Sequence, residues 1–299
     1  MIWVIFAIAA PFLWAGMNVV DKLLREHHLK NSASLSAITG VLAFIPILIV
    51  SSFTGLTIPS IQILIGALMA GFLSRIAVIP YYEALSMEEA SRVIPVFMVS
   101  PVFVLILSFL FLGEKLSINH YIAFILVFLG SVFITFRSIQ GIFKPNKAFF
   151  LILSASLLFS IGDVLIKYAY GEQNLWNNLF WFSIGGLFGC SLLFLNKGAR
   201  SDFKKVFVKP KSSLVKLLLL EELLVFLSTV FFFFAIIIGP ISLVSVLGSG
   251  FQGLFILLFA VILSKYFPKI LKEEIDKKAI AVKVIAIFLM LGGLLLIYL

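Results

Sequence analysis

With 299 residues, 62% of them hydrophobic and only 12% charged, and a mean hydropathy of +1.18, the chain lies far outside the soluble balance of about 45–50% apolar and about 25% charged residues. A soluble domain is excluded, because the longest polar stretches, 196–213 and 265–278, are too short to bury a core of their own. The net charge of +9 is scattered through short connections, which argues against a nucleic-acid face, and the single Cys190 excludes an intrachain disulfide framework and a cysteine-based metal site while leaving the redox compartment unread.

Ten apolar runs follow in chain order: 2–20, 33–53, 61–85, 90–112, 118–136, 148–169, 176–195, 214–238, 241–264 and 279–299. Each is about long enough to cross ~30 Å of hydrocarbon. The first lacks a basic n-region, and Ala7-Ile8-Ala9 comes too early for a cleavage site, so it reads as a retained span. It carries Leu13-Trp14-Ala15-Gly16-Met17-Asn18 followed by Lys22; the sixth carries Leu158-Phe159-Ser160-Ile161-Gly162-Asp163 followed by Lys167. Both place a polar residue and a lysine four apart inside an apolar run. The junction from Ala84 to Ser91 is likewise matched by Ala235 to Ser242. The chain therefore reads as an all-α integral membrane protein of ten transmembrane helices, built from two five-helix repeats, 1–140 and 141–299. An odd number of spans per repeat makes the second copy enter from the opposite side, so the repeats are inverted, as in secondary transporters.

The basic residues set the expected orientation. Of 23 Lys and Arg, 20 fall in or beside the loops that follow odd-numbered runs, and only Lys115 lies in a loop after an even-numbered one. Taking the basic side as cytoplasmic puts both termini outside, in a prokaryotic inner membrane.

An ionisable residue near the bilayer centre costs about 2.5–3.5 kcal/mol, so the few that occur mark candidate sites. Arg75 sits in the middle of the third run. It reads either as a grip for a carboxylate or phosphate or as one half of an internal ion pair with Asp163 or Glu221; Glu83, two turns on, lies off the same face. Asp163 and Lys167 stand in the favourable i,i+4 order, either as a self-neutralising pair or with Asp163 as the cavity acid that binds a coupling proton or a cationic group. Asn18 is its neutral counterpart. Glu221 and Glu222 interrupt the eighth run, one of them facing a cavity or both meeting Lys216 at the interface. Pro95 and Pro101 remove backbone hydrogen bonds in the fourth run, and Gly248, Gly250 and Gly253 loosen the ninth at the same depth; broken helices in corresponding positions point to a site and its gates. Gln252 lies among these glycines. The glycines otherwise allow close packing, as Gly185 and Gly189 do in the seventh run.

Gly248 to Gly253 spells G-x-G-x-x-G, but inside an apolar helix and after no strand it does not read as a dinucleotide site. His27, His28 and His120 form no metal spacing with nearby acids, and no P-loop, H-E-x-x-H or serine nucleophile elbow occurs. No cofactor is expected, and an integral membrane enzyme is disfavoured.

Two stretches carry a family resemblance. Leu13-Trp14-Ala15-Gly16-Met17-Asn18 resembles the first-helix signature of the EamA-type drug/metabolite transporters. The order Glu83-Ala84-Leu85, Ala90-Ser91, Ile94-Pro95, Pro101-Val102-Phe103 and Phe111-Leu112-Gly113-Glu114-Lys115-Leu116-Ser117 resembles the same family from the end of the third helix to the exit of the fourth. The second half departs from it, with Gln252 in place of Pro101 and Ser264-Lys265 in place of Gly113-Glu114. The resemblance implies ten helices and gradient-driven, alternating-access transport of a small polar or amphipathic metabolite, such as an amino acid; the alternative is a flippase for a lipid-linked head group, with Arg75 on its phosphate. It also implies both termini in the cytoplasm, the reverse of the lysine count. Expected partners are the small-molecule substrate and membrane lipid, with a homodimer left open and no nucleic acid.

Overall fold

The computed structural model describes residues 2–29, 32–88, 93, 96–135, 146–171, 174–208, 211–266 and 277–298, and among these it is helical with no strand. The described helices are α1 (Ile2–His27), α2 (Ser32–Leu42), α3 (Phe44–Thr54), α4 (Ile61–Ile76), α5 (Val78–Met87), α6 (Ser100–Leu112), α7 (Ile118–Thr135), α8 (Lys147–Tyr170), α9 (Leu175–Leu193), α10 (Lys197–Val208), α11 (Ser212–Ile238), α12 (Ile241–Tyr266) and α13 (Lys277–Tyr298). Every apolar run is met by helix. Among the described residues, however, six segments are long and apolar enough to cross a membrane, and seven if the α9–α10 pair, bent by 115°, is one span. The stretches Ser100–Leu112, Ile118–Phe133 and Val282–Tyr298 are apolar but shorter.

Proline places three of the breaks, whereas Pro11 is carried inside the unbroken α1. A proline ring clashes with the carbonyl four residues back and removes a donor. Helix α2 ends at Leu42, four before Pro46; α4 ends at Ile76, four before Pro80; and the short helix in the fourth run ends at Phe97, four before Pro101. Ala43 and Ala77 keep right-handed helical dihedrals, so α2 continues into α3 and α4 into α5 as the single spans Ala33–Thr54 and Ile61–Met87. Pro101 therefore opens α6 instead of breaking it. Pro95 lies outside the described residues. The expected break in the ninth run does not occur: α12 runs unbroken through Gly248, Gly250 and Gly253. A Cβ on Gly250 would stand 3.1 Å from Val127 of α7 and 3.4 Å from Met290 of α13, so this glycine admits close neighbours; one on Gly248 would meet only Phe232, at 3.9 Å.

Packing crosses between the halves: α1 lies against α11 and α12, α4 against α8 and α9, and α7 against α13. The α4–α9 contact is the tightest kind. A Cβ on Gly71 would collide with the Phe182 carbonyl, and one on Gly185 with the Leu68 backbone. Small residues let two helix backbones touch where hydrocarbon offers no hydrophobic drive. After its bend, α10 turns across the ends of the spans and packs on α2. Its Val206 joins Val20, Leu24, Leu35 and Ile38 in a buried cluster, and its Asp202 accepts a hydrogen bond from Ser34 at 2.8 Å.

Candidate functional site

Helix α1 continues past residue 20, and its last two turns repeat polar residues at Asn18, Asp21, Lys22 and Arg25. That i, i+3, i+4, i+7 spacing puts all four on one face. They form one wall of a cavity of about 450 Å³, opposite Tyr81, Tyr82 and Leu85 of α5. The Arg25 guanidinium stands over the Tyr82 ring at 6.0 Å, and Tyr81 meets Phe97 edge to face at 5.4 Å. The cavity thus offers both signs of charge, an amide and two phenols.

Beyond Asp21, away from the cavity, lie Glu221, Glu222 and Arg75. Glu221 is 3% exposed. Asp21 Oδ1, Glu221 Oε2 and both Glu222 oxygens are buried and receive no hydrogen bond. The two glutamates, Asp21 and Arg75 are close enough for their charges to act on one another. Arg75 passes through a slot that glycines leave: a Cβ on Gly40 of α2 would stand 3.1 Å from its Cζ, and one on Gly189 of α9 2.6 Å from its Cβ. It is not among the residues lining the cavity.

At the opposite end, described side chains tie neighbouring helices together. Lys167 donates to the carbonyls of Ile236, Ile237 and Gly239, at 2.5, 3.0 and 3.0 Å. An ammonium has three donors, and all three are occupied, so the expected pairing of Lys167 with Asp163 is not made. The next helix is capped from the fourth run. Gly113, at φ +66°, ends α6 in the left-handed conformation that glycine tolerates, and the chain turns Glu114 back over the start of α12. Glu114 accepts from the backbone N–H of Ile241 at 2.8 Å, from that of Ser242 at 3.1 Å, and from the Ser242 hydroxyl. Trp3 covers the same turn so closely that a Cβ on Gly239 would lie 2.6 Å from its indole.

The expected site residues therefore separate. Asn18 is in the cavity wall, and Glu221 and Arg75 lie behind it. Glu83 instead pairs with Lys147 at 2.8 Å on the surface. Asp163 is half-buried on α8, outside the cavity lining and without a hydrogen bond among the described residues. Gln252 is half-buried on α12, also outside it. Asp21, Arg25 and Tyr81 were not singled out from sequence; the polar spacing running past residue 20 was the available signal. Among the described residues no group of three His, Cys, Asp or Glu is arranged to hold a metal ion.

Residues 1–136 match the model of the EamA-like transporter family. A protein of Clostridium kluyveri described as an uncharacterized transporter is 28% identical over 138 residues, 44% of this chain and 43% of that protein, so the match spans less than half of the relative's length. A crystal structure superposes with a TM-score of 0.72 over 98% of this chain and 95% of its own, at 14% identity, a likeness of fold.

Proposed function

We propose, from the premise that residues 1–136 are an EamA-type transporter unit in an integral membrane protein, that the chain moves a small polar or amphipathic metabolite by alternating access. Transport is driven by a gradient, and the protein works as two inverted five-helix repeats. The observation that carries this reading is a polar cavity open at one end of the helices with a hydrogen-bonded seal at the other. The cavity end is shared with α10 and its lysines. If that basic side is cytoplasmic, the structure faces inward and both termini lie outside. The cross-packing supports the inverted repeat: α1 on α11 has its counterpart in α8 on α4, as expected when the first span answers to the sixth and the third to the eighth.

The flippase reading asked for an Arg75 open to a phosphate. Held among Gly40, Gly186 and Gly189, Arg75 gives that reading no support.

Counterflow in proteoliposomes tests the function, with a panel of radiolabelled amino acids, amines and organic acids outside and the same unlabelled solute inside. Transient accumulation of at least one solute class is expected, and no accumulation across the panel counts against a metabolite transporter. For orientation, a C-terminal alkaline phosphatase fusion should be active and a GFP fusion dark; the reverse pair places the termini in the cytoplasm.

A further inference from the structure

Behind the cavity, two carboxyl groups stand where neither has a donor. Glu221 and Glu222 are consecutive on α11 and their charges act on one another, yet Glu221 Oε2 and both oxygens of Glu222 are buried and make no hydrogen bond among the described residues. Ionised carboxylates only accept, so two of them in reach make a bond only when a proton lies between them. Two adjacent ionised carboxylates, buried with no donor, are the costly alternative.

The surroundings supply no other neutralising hydrogen bond. From α1, Asp21 faces the pair with a third acid, its own Oδ1 also without a donor. Helix α2 contributes no ionisable side chain. Arg75 of α4 acts on both glutamates by charge, but no hydrogen bond joins it to the unsatisfied oxygens. Tyr82 of α5 faces Asp21. On α8, Lys167 is held at the far end of α11 by three carbonyls, and Asp163 is not among the charges acting on the pair. The described side chains of α12 include no ionisable group.

We propose that Glu221 and Glu222 together hold one exchangeable proton, reached from the cavity through Asp21. A hydronium or buffer acid in the cavity gives a proton to Asp21. Asp21 passes it to one glutamate oxygen, where an O–H bond forms and donates to the neighbouring carboxylate. Release retraces the path to water. The site rests on the transport reading only for its use, since a gradient-driven carrier that exchanges protons needs such a group beside its cavity.

The test needs no transported solute. Infrared spectra of the purified full-length protein at neutral pH should show a carboxylic-acid carbonyl band that shifts on transfer to deuterium oxide. Glu221→Gln and Glu222→Gln should each abolish that band, Glu222→Asp should keep an acid band at a displaced frequency, and Asp163→Asn should leave it unchanged. Asp21→Asn should keep the band but slow its deuterium shift at least tenfold. A wild-type protein without the band, or one whose band survives both glutamine variants, overturns the shared proton; an unchanged exchange rate in Asp21→Asn overturns the path. Because counterflow is not involved, failure of the transport assay leaves these outcomes readable.

Discussion

At one end of the bundle Lys167, Glu114 and Trp3 close over the turn at Gly239 and Pro240; at the other, Asn18, Asp21, Lys22 and Arg25 border a cavity against α5. Both ends use the same sequence device, a polar residue and a lysine four apart in an apolar helix. At the closed end the lysine is fixed by three carbonyls at the C-terminus of the neighbouring helix. At the open end Lys22 stands on a cavity wall. The same short pattern thus places a cation on α8 and on α1, while the neighbouring helices decide whether it ties carbonyls together or borders a cavity.

The largest effect should come from breaking the seal. Glu114 is half-buried, and Glu114→Ala leaves two backbone N–H groups and a serine hydroxyl without their charged acceptor, a loss of about 3–5 kcal/mol for the three hydrogen bonds together. Thermal unfolding in detergent should fall by about 6–10 °C. A fall within error would mean that the seal does not support the fold. Lys167→Met should cost somewhat less, about 2–4 kcal/mol, because water can reach some of the freed carbonyls; a larger loss than for Glu114→Ala would reverse the ranking of the two clamps.

A labelling contrast sharpens the comparison without changing stability much. In a Cys190→Ala background, Leu85→Cys on the cavity wall should react with a membrane-impermeant maleimide, added from the basic side, at least tenfold faster than Ile241→Cys, which is fully buried at the seal. Equal rates would mean that both ends open on the labelling timescale. The smallest effect belongs to Glu83→Gln. Its ion pair with Lys147 is exposed on both sides, at 68% and 41%, and exposed pairs are worth about 0–1 kcal/mol, so the unfolding midpoint should move by no more than about 2 °C.

Local features were the readable ones. The prolines state their breaks in advance, since Pro46, Pro80 and Pro101 each act on the carbonyl four residues earlier. The Gly113-Glu114 exit was visible as a motif, but its task was not, because the groups Glu114 caps lie more than a hundred residues further on. For Lys167 the sequence offers the i,i+4 acid Asp163 as one possible partner, whereas the three carbonyls at the end of α11 that it meets lie about seventy residues away. Gly248 and Gly250 were ambiguous between break and contact, and only the position of Val127 and Met290 decides for Gly250. Asp21 and Arg25 are hard to read from sequence because hydropathy falls after residue 20 while the helix does not end there. Glu221 was noticed for its cost in hydrocarbon, and that cost led to the part of the molecule where unsatisfied oxygens collect.

The interlocked glycines of α4 and α9 carry a consequence for motion. Two helices whose backbones touch at Gly71 and Gly185 have no side-chain layer between them to slide on or to deform, so any rearrangement must carry them together as one plank. Displacement is then left to the joints where proline has already removed a hydrogen bond, around Ala43, Ala77 and Met98. On that argument Ala43, Ala77 and Met98 are where a pivot would cost least, and the paired α4 and α9 would move as one body.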